Sequence, residues 1–129
     1  MAVLLIEVDI RTKIRKGNKV VRGIDHVVIA VNDMKKARET YKKMGFKVTP
    51  KALHPFGTEN FLIQLNGNFI EIVGINNISL VPPHTKEKYS FAQANVDFLS
   101  YKEGMSSLVF QSLDARRDRE EFLASGLHT

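Results

Sequence analysis

The chain has 129 residues, of which 43% are hydrophobic and 26% are charged, a balance typical of one globular domain rather than of a disordered segment. It contains no cysteine, which excludes disulfide frameworks, thiolate catalysis and sulfur-ligated zinc sites and favours a cytoplasmic location. The net charge of +5 does not indicate a nucleic-acid partner, because the basic residues near the N-terminus have no aromatic neighbours that could stack on bases.

The N-terminal segment predicts a β-hairpin. The apolar run over residues 1–6 is too short for a signal peptide or a membrane span, so no membrane partner is expected. Apolar and polar residues alternate over residues 6–15, which predicts a strand with one buried face. Gly17 and Asn18 can form a tight turn, after which the chain pairs back on that strand.

Two segments of the chain resemble each other at a fixed separation. Residues 23–33 recur in weaker form as residues 104–114, which start 81 positions later. Each copy continues to a glycine, Gly45 or Gly126, at the same separation. The sequence ends at Thr129, so nothing in it corresponds to what the first copy builds after Gly45.

The first copy begins with a strand and a helix. Residues 26–31 are almost wholly apolar, as expected of a strand that packs under a helix on one face and lines a cavity on the other. Strand alternation places His26 and Val28 together on the cavity face. Asn32 or Asp33 as the N-cap and Gly45 as the left-handed C-cap predict the limits of the helix.

Three further strands are predicted over residues 47–53, 61–65 and 69–75, the last two joined by an Asn-Gly turn. In the last strand Glu71 is a single carboxylate among apolar residues. A carboxylate is costly to bury unless it is paired or bound, so Glu71 is a candidate functional residue.

The second copy follows a long connection whose later part is predicted to be a helix capped by Ser90. A strand around Leu108 and a helix from Asp114 to Ser125 then repeat the start of the first copy. The predicted organisation is an N-terminal hairpin (1–22), a first module (23–75), a connection (76–103) and a truncated second module (104–129).

Four segments together resemble the glyoxalase-like domain of the vicinal oxygen chelate superfamily: Ile24 to Val31, Met44 to Phe46, His54 to Asn60 and Phe69 to Val73. The resemblance implies an α+β fold in which a βαβββ module, followed here by an incomplete second module of a strand plus a helix, contributes to a cupped sheet around a small-molecule site. It also implies a divalent metal such as zinc, manganese, iron or nickel. No phosphate-binding glycine motif occurs, so no nucleotide cofactor is expected.

The resemblance implies metal ligands on the first and fourth strands of each module, which correspond to His26 and Glu71. An imidazole nitrogen and a carboxylate oxygen suit these ions, but two ligands alone make a weak site. Ser107 stands where the second copy would carry the equivalent histidine, and the counterpart of Glu71 would lie beyond Thr129. Either the chain is a fragment of a longer protein, or a second copy completes the site.

Both proposed ligands have a simpler interpretation. His26 is also explained as an inert, hydrogen-bonded core histidine, and Glu71 as one partner of an ion pair with Lys47 or Lys51.

The loop before the third strand supplies the predicted substrate contacts, His54, Thr58 and Asn60. The alternative for His54 is a turn residue at the rim. His84 and His128 are predicted to be surface residues.

Three functions are consistent with this pattern. The first is a metal-assisted enzyme of the lyase, isomerase or dioxygenase type, whose catalytic residues are unassigned. The second is a protein that sequesters a drug or metabolite without turnover, as bleomycin-resistance relatives do. The third is an inactive fragment. A homodimer is expected, because the first module without a partner would expose strand edges and an apolar concave face.

Overall fold

The computed structural model describes residues 3–5 and 22–127. The predicted hairpin over residues 6–21 lies outside the described residues. The elements, in chain order, are β1 (Val3–Leu5), β2 (Ile24–Ala30), α1 (Met34–Lys43), β3 (Ala52–Leu53), β4 (Thr58–Gln64), β5 (Phe69–Ile75), a short 3-10 helix (Ile78–Leu80), α2 (Phe91–Leu99), β6 (Gly104–Phe110) and α3 (Ala115–Ala124). The predicted α+β class is confirmed.

A six-stranded mixed sheet has the order β1-β6-β2-β5-β4-β3. β2 pairs in parallel with β5, and β4 is antiparallel to both β3 and β5. This is the predicted βαβββ arrangement. The strand predicted over residues 47–53 is reduced to β3 and one bridge between Val48 and Ile63. Pro50 lies between them and has no N–H to give a ladder.

One face of the sheet packs against α1. The buried side chains of this core are Met34, Phe61, Ile63 and Ile72. Each contributes roughly 1.5–3 kcal/mol through the apolar area that folding removes from water. Gly74 lets α1 approach closely, because a Cβ at this position would lie 2.9 Å from the Met34 sulfur. Ile29 and Val31 also pack against this core, so the face of β2 that was predicted to lie under the helix does point towards it.

The opposite face is partly covered by α2. Its core consists of Val28, Ala30, Val73 and Val109, against which Phe91, Phe98 and Leu99 pack. Ser90 caps the helix by accepting a hydrogen bond from the Gln93 N–H, as the sequence predicts. The expectation of an open apolar concave face is therefore wrong for the centre of the sheet, because the connection between the two copies folds back over it.

The two copies share helix limits and caps. α1 and α3 begin 81 positions apart and have the same length of 10 residues. Asp33 and Asp114 each accept a hydrogen bond from the N–H three residues later. Gly45 and Gly126 follow the helices with φ angles of 91° and 83°. The repeat seen in the sequence is thus a repeat of structure.

An approximate twofold axis relates the two copies and passes through the pairing of Val27 with Leu108 in the antiparallel β2-β6 ladder. The two neighbouring pairs are His26 with Val109 and Val28 with Ser107. Ser107 is the repeat equivalent of His26, and Val109 is that of Val28, so the axis converts one pair into the other.

Each central strand has one extra residue. Asp25 has no partner in the register between β2 and β6, and Ser106 has none on the other side of the axis. These two β-bulges are equivalent, since Ser106 follows Asp25 by 81 positions. A bulge bends its strand and redirects the side chain of the extra residue.

β1 lies beside β6 as β5 lies beside β2. Both pairings are parallel, with Leu5 paired to Val109 and Glu71 paired to Val28. Val109 follows Val28 by 81 positions, so Leu5 and Glu71 occupy equivalent places beside the two copies. The N-terminal strand thus takes the place that a fourth strand of the second module would have. No helix in the described part of the chain is long and apolar enough to cross a lipid bilayer.

Candidate functional site

A hollow of about 340 Å³ opens on the sheet face that carries His26. It is lined by His26, His54, Phe56, Asn60, Leu62, Phe69, Glu71 and Phe91. We refer to it as the His26 hollow. Four of the five residues predicted as ligands or substrate contacts therefore line one cavity, and only Thr58 does not.

His26 is fixed from two sides. Its side chain is almost fully buried, with 2% of the residue exposed. The ring stacks on Phe69, with centroids 4.4 Å apart, and Nδ1 lies 2.6 Å from a carboxylate oxygen of Asp25. The carboxylate fixes the ring orientation and leaves Nε2 directed towards Glu71.

Asp25 is a site residue that the sequence reasoning missed. Strict alternation along a strand would place Asp25 and His26 on opposite faces. The β-bulge at Asp25 changes this, because the extra residue turns its side chain towards that of its neighbour. A pair of an acidic residue and a histidine at the start of a strand was the available signal, but nothing in the pattern indicated a bulge.

Glu71 is held by hydrogen bonds rather than by a lysine. Oε1 accepts a hydrogen bond of 2.7 Å from the Asn60 amide, and Oε2 lies 3.5 Å from His26 Nε2. Lys51 pairs instead with Glu59, at 2.8 Å. Burial by itself raises the pKa of Glu71, but the bonds from His26 and Asn60 and the nearby imidazoles outweigh it, so the pKa lies below its usual value. Glu71 is ionised at neutral pH.

His54 stands at the mouth of the hollow. Its Nδ1 lies 2.7 Å from the hydroxyl of Thr58, and its ring stacks on Phe56 with centroids 4.9 Å apart. Thr58 is fully buried, so its hydroxyl holds His54 in place through this contact and is not open to a ligand. The turn between them depends on Gly57, which has a φ of +84° and whose added Cβ would lie 2.3 Å from the Asn77 carbonyl oxygen.

The donor set meets only part of the requirement for a metal ion. The 3.5 Å between His26 Nε2 and Glu71 Oε2 is close to the separation of about 3.3 Å expected for two ligands at 2.0–2.1 Å from a tetrahedral ion. A carboxylate on the far ring nitrogen, here that of Asp25, is also usual for a metal-binding histidine.

The remaining ligands are not supplied by the described residues. Among them, no group of three or more His, Cys, Asp or Glu side chains is placed to hold a metal ion. Ser107 occupies the position equivalent to His26, and its hydroxyl is a poor ligand for these ions. Two protein ligands do not make a resident catalytic metal site, which uses three or four.

The model of one protein family, the glyoxalase-like domain, matches residues 24–129. No curated protein matches the chain significantly. Several solved structures are similar in fold, among them the following three. A hypothetical protein from Bacillus halodurans C-125 has 16% identity and a TM-score of 0.62, with 81% of this chain and 69% of that chain covered.

Methylmalonyl-CoA epimerase from Mycobacterium tuberculosis has 21% identity and a TM-score of 0.61, with 81% of this chain and 64% of that chain covered. A hypothetical protein from Staphylococcus aureus has 18% identity and a TM-score of 0.66, with 84% of this chain and 43% of that chain covered. Identities this low show a shared fold and nothing about the ligand. The matched part of the chain spans 69%, 64% and 43% of the lengths of these three proteins.

Proposed function

Because the chain belongs to the glyoxalase-like domain family of the vicinal oxygen chelate superfamily, we propose that it binds a small, oxygen-rich molecule in the His26 hollow. The observation that supports this most directly is the convergence of polar groups from different strands on one cavity lined by rings. His26, Asn60 and Glu71 come from three strands of the sheet and are linked to one another by contacts of 2.7 Å and 3.5 Å.

The lining determines the chemistry of the ligand. The ionised carboxylate of Glu71 accepts hydrogen bonds, so the ligand presents hydroxyl groups to it. The rings of Phe56, Phe69 and Phe91 provide apolar walls for a flat or aliphatic body. A molecule with two adjacent hydroxyl groups on an apolar ring satisfies both conditions.

Binding without turnover is the function that these residues support best. The hollow holds and orients a ligand, and its ring walls exclude water from the hydrogen bonds to Glu71. A sequestering protein needs nothing more.

Metal-assisted catalysis is a second candidate, supported by one observation. The arrangement in which Asp25 fixes His26 and His26 faces Glu71 is the usual one for a metal-binding pair. A bound divalent ion would act as a Lewis acid on ligand oxygens, and further ligands would have to come from outside the described residues.

We further propose that two copies associate and that the protein is cytoplasmic. β3 is the edge of the sheet and carries Leu53, which is 62% exposed. Ile78 and Leu80, also exposed, follow Asn76 and Asn77, whose N–H groups donate to the Gly57 carbonyl oxygen in the loop after β3. We refer to these three exposed side chains, with Phe56, as the edge patch. Since Phe56 also lines the His26 hollow, a partner on the edge patch would stand at its mouth.

Calorimetric titration with catechol tests the proposal. We expect saturable binding by the wild type without added metal, and a loss of affinity of about tenfold or more in Glu71→Gln, because a hydrogen bond to a charged acceptor is removed. Glu59→Gln is a matched control: Glu59 is as buried as Glu71, with 13% against 12% of the side chain exposed, and it lies outside the hollow. It should bind catechol as the wild type does.

The same titration separates the two candidates. If binding appears only with one equivalent of Mn²⁺ or Zn²⁺, metal-assisted chemistry replaces sequestration as the better account. Absence of binding under both conditions, or equal losses in the two glutamine variants, would refute the His26 hollow as a ligand site.

A further inference from the structure

The turn between β4 and β5 contains Asn66 and Gly67, the only asparagine followed by a glycine in the chain. Both residues are exposed and lie outside the strands. Gly67 has a φ of +84°, and a Cβ added to it would meet nothing within 4 Å. The turn is therefore open to solvent, and no other part of the described chain obstructs it.

The N–H of Gly67 differs from those of other turn glycines. Gly45, Gly57 and Gly126 also have positive φ angles, and each donates its N–H to the carbonyl oxygen three residues earlier. Within the described residues the Gly67 N–H has no such acceptor, and the side-chain amide of Asn66 makes no hydrogen bond either. Both groups are thus free to react.

An asparagine and the following glycine can react with each other in water. The backbone nitrogen of Gly67 attacks the side-chain carbonyl carbon of Asn66, and the side-chain nitrogen leaves as ammonia with the proton of the Gly67 N–H. The product is a five-membered succinimide. Water then breaks one of the two bonds from a carbonyl carbon to the ring nitrogen, which gives aspartate or isoaspartate. Asparagine is a thermolabile residue, and glycine has no side chain to hinder the attack.

Asn68, the next residue, connects this turn to β2. Its side-chain amide donates a hydrogen bond of 2.8 Å to the backbone carbonyl oxygen of Ile24. Ile24 directly precedes the bulge at Asp25, whose carboxylate fixes the ring of His26. The turn is thus linked to the histidine through the start of β2.

Phe69 provides a second connection to the same histidine. It begins β5, pairs with His26 in the register of β2 and β5, and stacks on the imidazole with centroids 4.4 Å apart. Isoaspartate continues the main chain through its side chain and so lengthens the loop by one atom. Because loop length sets the register of a hairpin, the longer loop displaces Asn68 and Phe69 first.

We propose that Asn66 is a site of spontaneous covalent modification, at which deamidation to aspartate and isoaspartate shifts the wall of the His26 hollow through Asn68 and Phe69. The modification adds a negative charge at the turn and, as isoaspartate, one main-chain atom. Water is the only other reactant, so the change proceeds as the protein ages.

Peptide mapping of aged protein tests the chemistry. Protein kept at pH 8 and 37 °C is digested, and the Asn66 peptide is examined for the mass change from amide to carboxyl and for isoaspartate by enzymatic methylation. We expect conversion at Asn66. Asn32 and Asn77, which are exposed but not followed by glycine, should stay unchanged.

Two variants and a peptide are the controls for this measurement. Asn66→Gln should not convert, because its longer side chain cannot form the five-membered ring. Gly67→Ala should convert more slowly than the wild type, because the added methyl group hinders the attack. A synthetic peptide of residues 62–72 shows that the conditions suffice for the reaction. Conversion in this peptide but not in the protein would overturn the proposal.

Amide NMR tests the link to the hollow without any ligand, so its result does not depend on the proposed function. The deamidated protein is separated from the unmodified form by ion exchange. We expect the backbone amides of Asp25 and Phe69 to shift on deamidation, and that of Glu39, exposed on α1, to stay. In Asn68→Ala the shift at Asp25 should be smaller, because the hydrogen bond to Ile24 is absent. Shifts confined to residues 65–68 would overturn the link to the hollow.

Discussion

Glu71 makes stability depend on pH in a defined direction. Its pKa in the folded protein is below the usual value of 4.5, because hydrogen bonds from His26 and Asn60 outweigh the cost of burial. A carboxyl group with a depressed folded pKa stabilises the protein above its unfolded pKa, and this contribution is lost as the pH falls through the folded pKa. We expect the wild type to lose stability relative to Glu71→Gln as the pH falls from about 5 to about 3. Urea unfolding at several pH values measures the difference, and parallel pH curves for the two proteins would contradict the prediction.

The Tyr89 hydroxyl, by contrast, lowers the stability of the folded protein. It is buried without a partner, and removing such a group relieves a desolvation cost of about 1–3 kcal/mol. We therefore expect Tyr89→Phe to raise the thermal midpoint by a few degrees. Differential scanning calorimetry tests this, with Tyr41→Phe as the control. A lower midpoint for Tyr89→Phe than for the control would show that the hydroxyl has a partner.

An absorbance titration gives a second measurement on Tyr89. Because burial raises the pKa of Tyr89 to about 12, the folded protein keeps this phenol neutral at pH values where the unfolded chain ionises it. The effect of Tyr89 on the free energy of unfolding is therefore constant below pH 10, and the folded state loses stability as the pH rises towards 12. One of the three tyrosines should therefore ionise later than the others, and this late step should disappear in Tyr89→Phe.

At the level of single residues, the sequence predicted part of the site and missed part of it. Alternation along two strands was enough to bring His26 and Glu71 to one cavity, because the pairing of β2 with β5 is regular from His26 to Ala30. Asp25 was missed since its side-chain direction depends on a bulge. The burial of the Tyr89 hydroxyl was also missed, because it depends on how a long connection folds back, which no local pattern encodes.

The loop that carries His54 depends on Gly57. Gly57 and Gly67 share a φ of +84°, but an added Cβ would lie 2.3 Å from the Asn77 carbonyl oxygen at the first and would meet nothing within 4 Å at the second. Alanine at either position costs about 1 kcal/mol for the left-handed backbone. We expect Gly57→Ala to cost about 1–3 kcal/mol more than Gly67→Ala because of the clash. Chemical denaturation of the two variants gives this difference directly. Equal losses would mean that the loop shifts freely.

At the level of elements, the helices were predicted more accurately than the strands. α1, α2 and α3 are each defined by a side-chain cap that accepts a hydrogen bond, from Asp33, Ser90 and Asp114. Such caps are local signals, so sequence alone locates them. β3 is shorter than predicted because Pro50 interrupts the pairing. β1 pairs with β6, about a hundred residues away, and this partner could not be inferred from alternation. The limits predicted for the four segments of the chain stay predictions.

At the level of the whole molecule, we expect a homodimer formed through the edge patch. Leu53, Ile78 and Leu80 are each more than half exposed, which is unfavourable for apolar side chains, and Leu53 lies on the edge strand of the sheet. Sedimentation velocity at micromolar concentration should show a dimer for the wild type and a monomer for Leu53→Glu. Leu65→Glu, an exposed leucine that is not part of the edge patch, should remain dimeric. A monomeric wild type would remove the dimer from the proposed function.

The equivalent bulges at Asp25 and Ser106 bear on the history of the chain. An insertion shared at corresponding points of two repeats is most simply inherited from one ancestral half, present before that half was copied. The acid and imidazole of one descendant and the two hydroxyls of the other then record later divergence on an inherited backbone. Gene duplication thus left this protein with two copies of one backbone, of which only the first carries an acid and an imidazole.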